Sequence, residues 1–315
     1  MAGNLAGTGE DLDTSLNTIY SEFKLLRDAP GVCRKLATKM SLPAHSGRSK
    51  NVLNYDRFTA DSLADGADIT RAQNLADAVT TYSPSRVGLK VIIPLITLRR
   101  VADTALLRKV GTLMQNAYSL KEEQDGTAQF TSYTPIVGSA GTVLGIGHIA
   151  AAAARVDIGN NRANPEPFGQ DRLVGILHPL QMHHIAMKTV PLTDVPVGTN
   201  VYTGLAAGAT VGPGRSSLSD EIIRRGPKVL RDVAGVDIYR TPNIAVDSSD
   251  DGSGAVFDPE SFIYIEEMAA DLNQKTPDYS IDSVEIVGQG YYTFGLWRPG
   301  AGGCEVLGDC TLPTA

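Results

Sequence analysis

The stretch Arg86-Val87-Gly88-Leu89-Lys90-Val91-Ile92-Ile93-Pro94-Leu95-Ile96-Thr97-Leu98-Arg99-Arg100-Val101-Ala102-Asp103 decides the fold. Its first half alternates. Val87, Leu89, Val91 and Ile93 fall on one side of an extended chain, with Gly88, Lys90 and Ile92 on the other. That period of two marks a strand with one buried face. Pro94 caps or bends it, because proline has no N–H to give to a ladder. Asp103 then offers a side-chain oxygen to the first amides of a helix. The helix carries Leu106, Val110, Leu113, Met114, Ala117 and Leu120 on one stripe and fades at Asp125-Gly126. From residue 86 to 109, Arg86, Lys90, Arg99, Arg100, Arg108 and Lys109 stand against Asp103 alone. This local basic stripe lacks interleaved aromatics, so it reads as a solvated or intersubunit face and not as a base-stacking platform.

Upstream, Leu16, Ile19, Tyr20, Phe23 and Leu26 follow helical spacing until Pro30-Gly31 stops them, and Val32, Cys33, Leu36, Ala37 and Met40 resume it. A short helical arm cannot bury such a stripe alone, so it needs its own body or a neighbouring subunit. Residues 41–86 are polar, with a strand expected from Lys50 to Phe58. That is long for a connection inside a compact domain and suggests a functional loop or extended arm. Downstream, Ile149–Val156 reads as an Ala-rich helix, Arg172–His178 as a strand, and Pro179 as the first residue of the next helix. Val197–Asp220 is a Gly-rich excursion, and Val229–Arg240 is two strands joined at Ala234-Gly235. Val246–Asp258 reads as an acidic loop, Pro259–Asn273 as a helix through Phe262, Ile265, Met268 or Ala269 and Leu272, and Ile281–Trp297 as a long strand or strand pair.

The 315 residues suggest one large domain or two ordinary ones. Hydrophobic residues make up 42%, enough for a core, but aromatics only 6%, so Ala, Val, Leu and Ile must build most of it. A net charge of −7 makes the chain a poor coat for nucleic acid by phosphate neutralisation. Met1–Asp13 has no basic cluster and no apolar core, so no secretory signal is read there. The longest apolar run, Val91–Leu98, is interrupted by Pro94 and falls far short of the roughly 20 residues of a spanning helix. Cys33, Cys304 and Cys310 are too few and too odd in number for a disulfide framework, and free thiols are expected, with a Cys304–Cys310 bridge in an oxidising medium as the alternative.

Several motifs approach known chemistry. Gly145-Ile146-Gly147-His148-Ile149-Ala150, with Glu166 downstream, matches a loose dinucleotide fingerprint and would suit an α/β nicotinamide-dependent oxidoreductase. Its preceding strand is at most Thr142–Leu144, Pro165 and Pro167 flank the acid, and close helix packing explains the glycines equally well. His178, His183 and His184 lack the four-residue ligand spacing of a helical zinc site, so a packed helix face is the plainer reading, with His178 free to bond a neighbouring backbone. Asp247, Asp250 and Asp251 lack the spacing of a calcium loop and read as a solvated turn. No catalytic, cofactor-binding or metal-binding residue is assigned.

The order of elements resembles the tailed-bacteriophage major capsid proteins of the Hong Kong 97-type fold. Val87–Asp103 with Leu106 and Leu107 is similar to the strand leading into that family's spine helix. Leu177-His178-Pro179 plus a helix, then Val233-Ala-Gly-Val-Asp-Ile-Tyr-Arg-Thr-Pro-Asn-Ile244, is similar to a pattern of its axial domain, and Ser283–Pro299 to its returning terminal strand. The resemblance implies an α+β chain with an N-terminal arm (1–40), an extended E-loop hairpin (41–85), a peripheral domain with a long spine helix (86–140 and 279–315) and an axial domain (141–278). It also implies that neighbouring copies supply the partners of arm and loop. Val197–Asp220 or Val246–Asp258 would then meet at capsomer centres. The implied function is structural: homo-hexamers and homo-pentamers of an icosahedral phage head, built in the host cytoplasm and enclosing double-stranded DNA. Expected partners are a portal, a decoration protein and a scaffold. Because the arm begins within about ten residues of Met1, that scaffold is expected to be a separate protein. A cellular nanocompartment shell of the same fold is the alternative. Lys50 lies in the expected loop, but nothing around it marks it for the family's crosslinking chemistry.

Overall fold

The computed structural model describes residues 31–43, 47–55, 77–94, 104–163, 173–189, 229–274 and 283–311, with Ile19, Ala60 and Ser62. In chain order the elements are α1 (Val32–Leu36), β1 (Thr38–Ser41), β2 (Lys50–Tyr55), β3 (Asp77–Tyr82), β4 (Ser85–Pro94), α2 (Thr104–Thr127), β5 (Ile136–Gly138), α3 (Ile146–Ala163), β6 (Leu173–Leu177) and α4 (Pro179–Thr189). Then come β7 (Val229–Val233), β8 (Val236–Arg240), β9 (Asp251–Phe257), β10 (Phe262–Gln274), β11 (Ser283–Leu296) and β12 (Gly303–Asp309). The chain divides into two compact units, each assembled from three separate segments.

The first unit comprises Met1–Asn54, Ala76–Gly126 and Phe262–Gly295. Its sheet has the order β1-β10-β11-β4. β4 runs antiparallel to β11 with Leu89 opposite Gly288 and Val91 opposite Ile286. The expected alternation of residues 87–93 is therefore the observed pleat. α2 lies on this face through Met114 and Tyr118, and Tyr118 meets Tyr292 edge-on at 5.9 Å. Phe294 stacks on Phe262 at 5.4 Å and packs on Tyr264 at 4.9 Å. These few aromatics gather at one place, each burying far more surface than an aliphatic side chain. β2 and β3 form a sheet of their own. Asn54 Nδ2 donates to Thr80 Oγ1 and Thr81 Oγ1 to Asn51 Oδ1, each at 2.9 Å.

The second unit comprises Tyr55–Leu75, Thr127–Ser261 and Leu296–Ala315. Its six-stranded sheet has the order β5-β12-β9-β6-β8-β7. β6 pairs parallel with β8, and β7 returns antiparallel through Ala234-Gly235, both at positive φ. That is the backbone a two-residue hairpin requires. α3 and α4 supply Ile149, Ala152, Val156, Met182 and Ile185 to a core shared with Leu144, Leu177, Val236, Ile238, Val256, Cys304 and Val306.

Four expectations are corrected. Pro259–Asn273 is not a helix: a 3-10 turn, Pro259–Ser261, leads into strand β10. Phe262, Ile263, Tyr264 and Ile265 are buried on both faces of that strand, so apolar residues satisfied helical spacing by accident. Val246–Asp258 is not one acidic loop, since Asp251–Phe257 is strand β9. Its glycines are there for proximity: a Cβ at Gly254 would stand 2.7 Å from the carbonyl oxygen of Ile176. The helix after Gly31 ends at Leu36, and Thr38–Ser41 pairs parallel with β10, Thr38 opposite Ile263. Residues 31–43 thus find a partner within the chain. Finally, the exposed stripe of α2 holds Leu113 (59% exposed) and Leu120 (45%), while Gln115, Glu122 and Glu123 are buried. Apart from buried Ile19, the first expected helix lies outside the described residues, as do Asp103, Glu166 and Val197–Asp220.

All three cysteines are free and buried. Cys304 and Cys310 lie six residues apart along and just beyond β12, about 20 Å at the rise of a strand, where a bridge requires about 7 Å or less. Burial pushes the Cys304 thiol up to about 11 and Cys310 up to about 12, from an ordinary 9.0. A raised thiol favours the folded state below pH 9.0 and loses that contribution as pH climbs toward the folded values. The unfolding midpoint should therefore fall from pH 9 to 11, and a thiol reagent at pH 8 should label the chain only as it unfolds. Rapid labelling of native protein would contradict this burial.

Candidate functional site

The charged groups of the first unit concentrate where residues 31–43 dock on α2 and β10. Arg34, 13% exposed, places Nη1 3.7 Å from Glu122 Oε2 and Nη2 3.5 Å from Glu266 Oε1, with its guanidinium 5.3 Å from the centre of the Tyr264 ring. Tyr264 Oη donates to Glu122 Oε1 at 2.9 Å. Burial, with the carboxylates of Glu122 and Glu266, raises the Tyr264 phenol far above its usual range, so it remains a donor. Glu123 Oε1 accepts from the Cys33 N–H at 2.9 Å, and Tyr292 Oη donates to Asp125 Oδ2 at 2.9 Å. Chemically this is a clamp. Its carboxylates are occupied by a guanidinium, phenols and an amide.

The basic stripe is partly neutralised. Arg86 Nη2 donates to Gln289 Oε1 at 2.7 Å and Lys90 pairs with Glu285, both across the β4–β11 ladder. Arg108 and Lys109 are exposed on α2, and Arg99 and Arg100 lie outside the described residues.

His178 caps α4. The Leu180 N–H donates to its Nδ1 at 3.3 Å, and the His178 N–H donates to Gln181 Oε1 at 3.1 Å. The two bonds reproduce a reciprocal capping box with Pro179 at the first helical position. Burial lowers the His178 pKa, which keeps Nδ1 an acceptor. Gln181, fully buried, also donates Nε2 to the Gly252 oxygen at 2.6 Å and the Gly308 oxygen at 3.3 Å. It ties the helix to β9 and β12, a role nothing in its sequence context announced. His183 and His184 neighbour each other at 6.2 Å. Among the described residues no three His, Cys, Asp or Glu side chains are grouped to hold a metal ion.

The acidic turn is likewise built on backbone. Asp247 Oδ1 accepts from the amides of Ser249 and Asp251 at 2.8 and 2.9 Å, and Asp251 Oδ1 accepts from Gly141 at 2.7 Å. Asp251 is buried, where a solvated turn was expected. At Gly145 no strand enters the helix, since residues 142–145 are irregular. The Gly145 N–H donates to His148 Nδ1 at 3.2 Å. The dinucleotide reading therefore lacks its strand and has one of its amides occupied. The packing explanation fails too at Gly147, where an added Cβ would meet nothing within 4 Å.

No protein-family model matches the chain, and no curated protein does. Solved structures do. The chain is similar to the capsid of Ralstonia phage GP4 at 12% identity and TM-score 0.63, covering 89% of this chain and 88% of that one. It is similar to the mature capsid of bacteriophage PhiM1 at 14% identity and TM-score 0.59, over 90% and 88%. It is also similar to a virus-like particle from Pyrococcus furiosus at 12% identity and TM-score 0.53, over 93% and 98%.

Proposed function

We propose that this chain, which has the Hong Kong 97-type fold shared by phage capsid subunits, is a major capsid protein that assembles as homo-hexamers and homo-pentamers into an icosahedral head. The observation that carries the reading is the two-stranded sheet β2–β3. Among the described residues it pairs with no third strand, and it exposes Leu53 (45%) and Val79 (52%). A two-stranded ribbon is at best marginal in water, so it wants a surface to lie on. As the E-loop of residues 41–85 it would lie on a neighbouring copy. Residues 86–140 and 279–315 would then serve as peripheral domain, with α2 as its spine helix, and residues 141–278 as axial domain.

The role is structural and not enzymatic. Double-stranded DNA would be confined by geometry, since a net charge of −7 opposes gripping it. The finished protein would reside in the virion after assembly in the host cytoplasm, with a scaffold, a portal and a decoration protein as partners. Purified protein should sediment as capsomers or shells visible by electron microscopy, and a 33.4 kDa monomer persisting at high concentration would overturn the reading. Deleting Ser46–Ile69 should leave folded subunits that fail to assemble, whereas normal particles from the deletion would refute the E-loop assignment. The likeness to the Pyrococcus furiosus particle favours a second reading, a cellular nanocompartment shell. Particles purified from the native source distinguish the two, carrying DNA in the first case and protein cargo in the second.

A further inference from the structure

Two helices of the second unit, α3 and α4, share one core, and each begins on a histidine that accepts a hydrogen bond. In α4, His178 precedes Pro179 and takes the Leu180 N–H on Nδ1 at 3.3 Å. Serine, threonine, aspartate or asparagine normally fills that place. In α3, His148 is the third helical residue and reaches back to take the Gly145 N–H on Nδ1 at 3.2 Å. Glutamate or glutamine normally fills that place in a capping box. The usual occupants accept a hydrogen bond throughout the neutral range. An imidazole accepts on Nδ1 only while it is neutral, because imidazolium carries a hydrogen on both nitrogens.

The surroundings do not favour the cation at either place. A helix start carries partial positive charge, and neither α3 nor α4 has an acidic residue in its first turn. Burial lowers the His178 pKa. The charged groups on the neighbouring elements have other contacts. Asp251 of β9 accepts from the Gly141 N–H. Asp309 of β12 accepts from the amide and hydroxyl of Thr311, with His184 of α4 near enough to lower its pKa. Arg155 of α3 holds the Ile136 oxygen of β5. Arg240 of β8 stands opposite Leu177, next to His178 in the chain, and Asp157 is exposed further along α3. Among the described residues no carboxylate pairs with His148 or His178. The turns held by these two caps carry Ile149 and Met182, both fully buried in the shared core. Releasing the caps therefore disturbs packing as well as the helix ends.

We propose that His148 and His178 form a paired acid-release latch on the helices of the second unit: neutral, they pin the first turns of α3 and α4, and protonated, they let both go. Linkage fixes the sign. The fold lowers the His178 pKa from 6.5, so its cap contributes fully above 6.5 and is lost as pH falls through the lowered value. Protonating His184 acts the other way, since it strengthens the attraction to Asp309. The latch belongs to the fold of one copy and does not depend on the capsid reading.

The test is hydrogen–deuterium exchange of the full-length protein at pH 7.5 and pH 5, each rate referred to the unfolded chain at the same pH. At pH 5 wild type should lose roughly fivefold or more of its protection in peptides covering residues 145–152 and 179–186, while α2 and β11 stay unchanged. H178N and H148Q each keep an acceptor in place that does not titrate. H178N should hold the α4 peptide at pH 5 while the α3 peptide still loosens, H148Q should do the reverse, and the double variant should hold both. Wild-type protection that is equal at the two pH values overturns the latch, whether or not the variants fold. An undiminished loss in the folded double variant overturns it too, and assigns the acid response to His183, His184 or the carboxylates.

Discussion

Arg34→Ala is expected to lower the free energy of unfolding by about 3–4 kcal/mol, the cost of removing one partner from a buried ionic group. Glu122 is nearly inaccessible to solvent, and Arg34 reaches it and Glu266 together. Without the guanidinium, Tyr264 still donates to Glu122, but the nearly buried carboxylate loses the Arg34 cation. Adding Glu122→Gln should restore part of the loss, since the amide oxygen can accept from Tyr264 without carrying charge. Arg34→Lys should fall between, because an ammonium lacks the planar fork that spans two carboxylates. Urea unfolding of unassembled protein measures all three. A loss below about 1 kcal/mol for Arg34→Ala would place the pair among solvent-screened surface bridges.

Gly138→Ala should cost a comparable amount, about 3–4 kcal/mol, from left-handed strain plus overpacking. Gly138 has φ +90°, and an added Cβ would run into the carbonyl oxygen of Leu307, its partner in the parallel β5–β12 ladder. The strand can retreat only by giving up that pairing. Gly141→Ala isolates the first contribution: φ is +71°, yet nothing lies within 4 Å of the added atom. It should cost only about 1–2 kcal/mol of backbone strain. Equal losses at the two positions would show that the ladder yields and that the steric clash is immaterial.

Where burial keeps a simple period or a cap is local, the chain reads well. β4 and β11 show their pleat because one face is buried and the other wet, and Pro179 after His178 marks the start of α4 through local capping. Reading fails where the partner is distant. On α2 the leucines at 113 and 120 suggest the buried face, but the helix buries Glu122 and Glu123 because Arg34 and the Cys33 amide, some ninety residues away, satisfy them. Hydropathy cannot see a counter-ion supplied by another segment. On β10, burial on both faces erases the period of two, although Phe-Ile-Tyr-Ile is strand-forming composition. β12 was not anticipated at all: it follows a turn at Arg298–Gly302 and is too short for its alternation to stand out.

The position of β12 bears on how the protein is made. It sits between β5 and β9, yet it follows every other strand of that sheet in the chain. On the ribosome, β6, β8 and β9 can associate early, while β5 waits for a neighbour translated well over a hundred residues later. A nascent chain therefore holds an incomplete sheet with Val256 and Val137 lacking their cover until Cys304 and Val306 emerge. Such long-range closure slows folding. It also ties completion of the second unit's sheet to synthesis of residues 303–309, so that products truncated before them would lack its β12 strand.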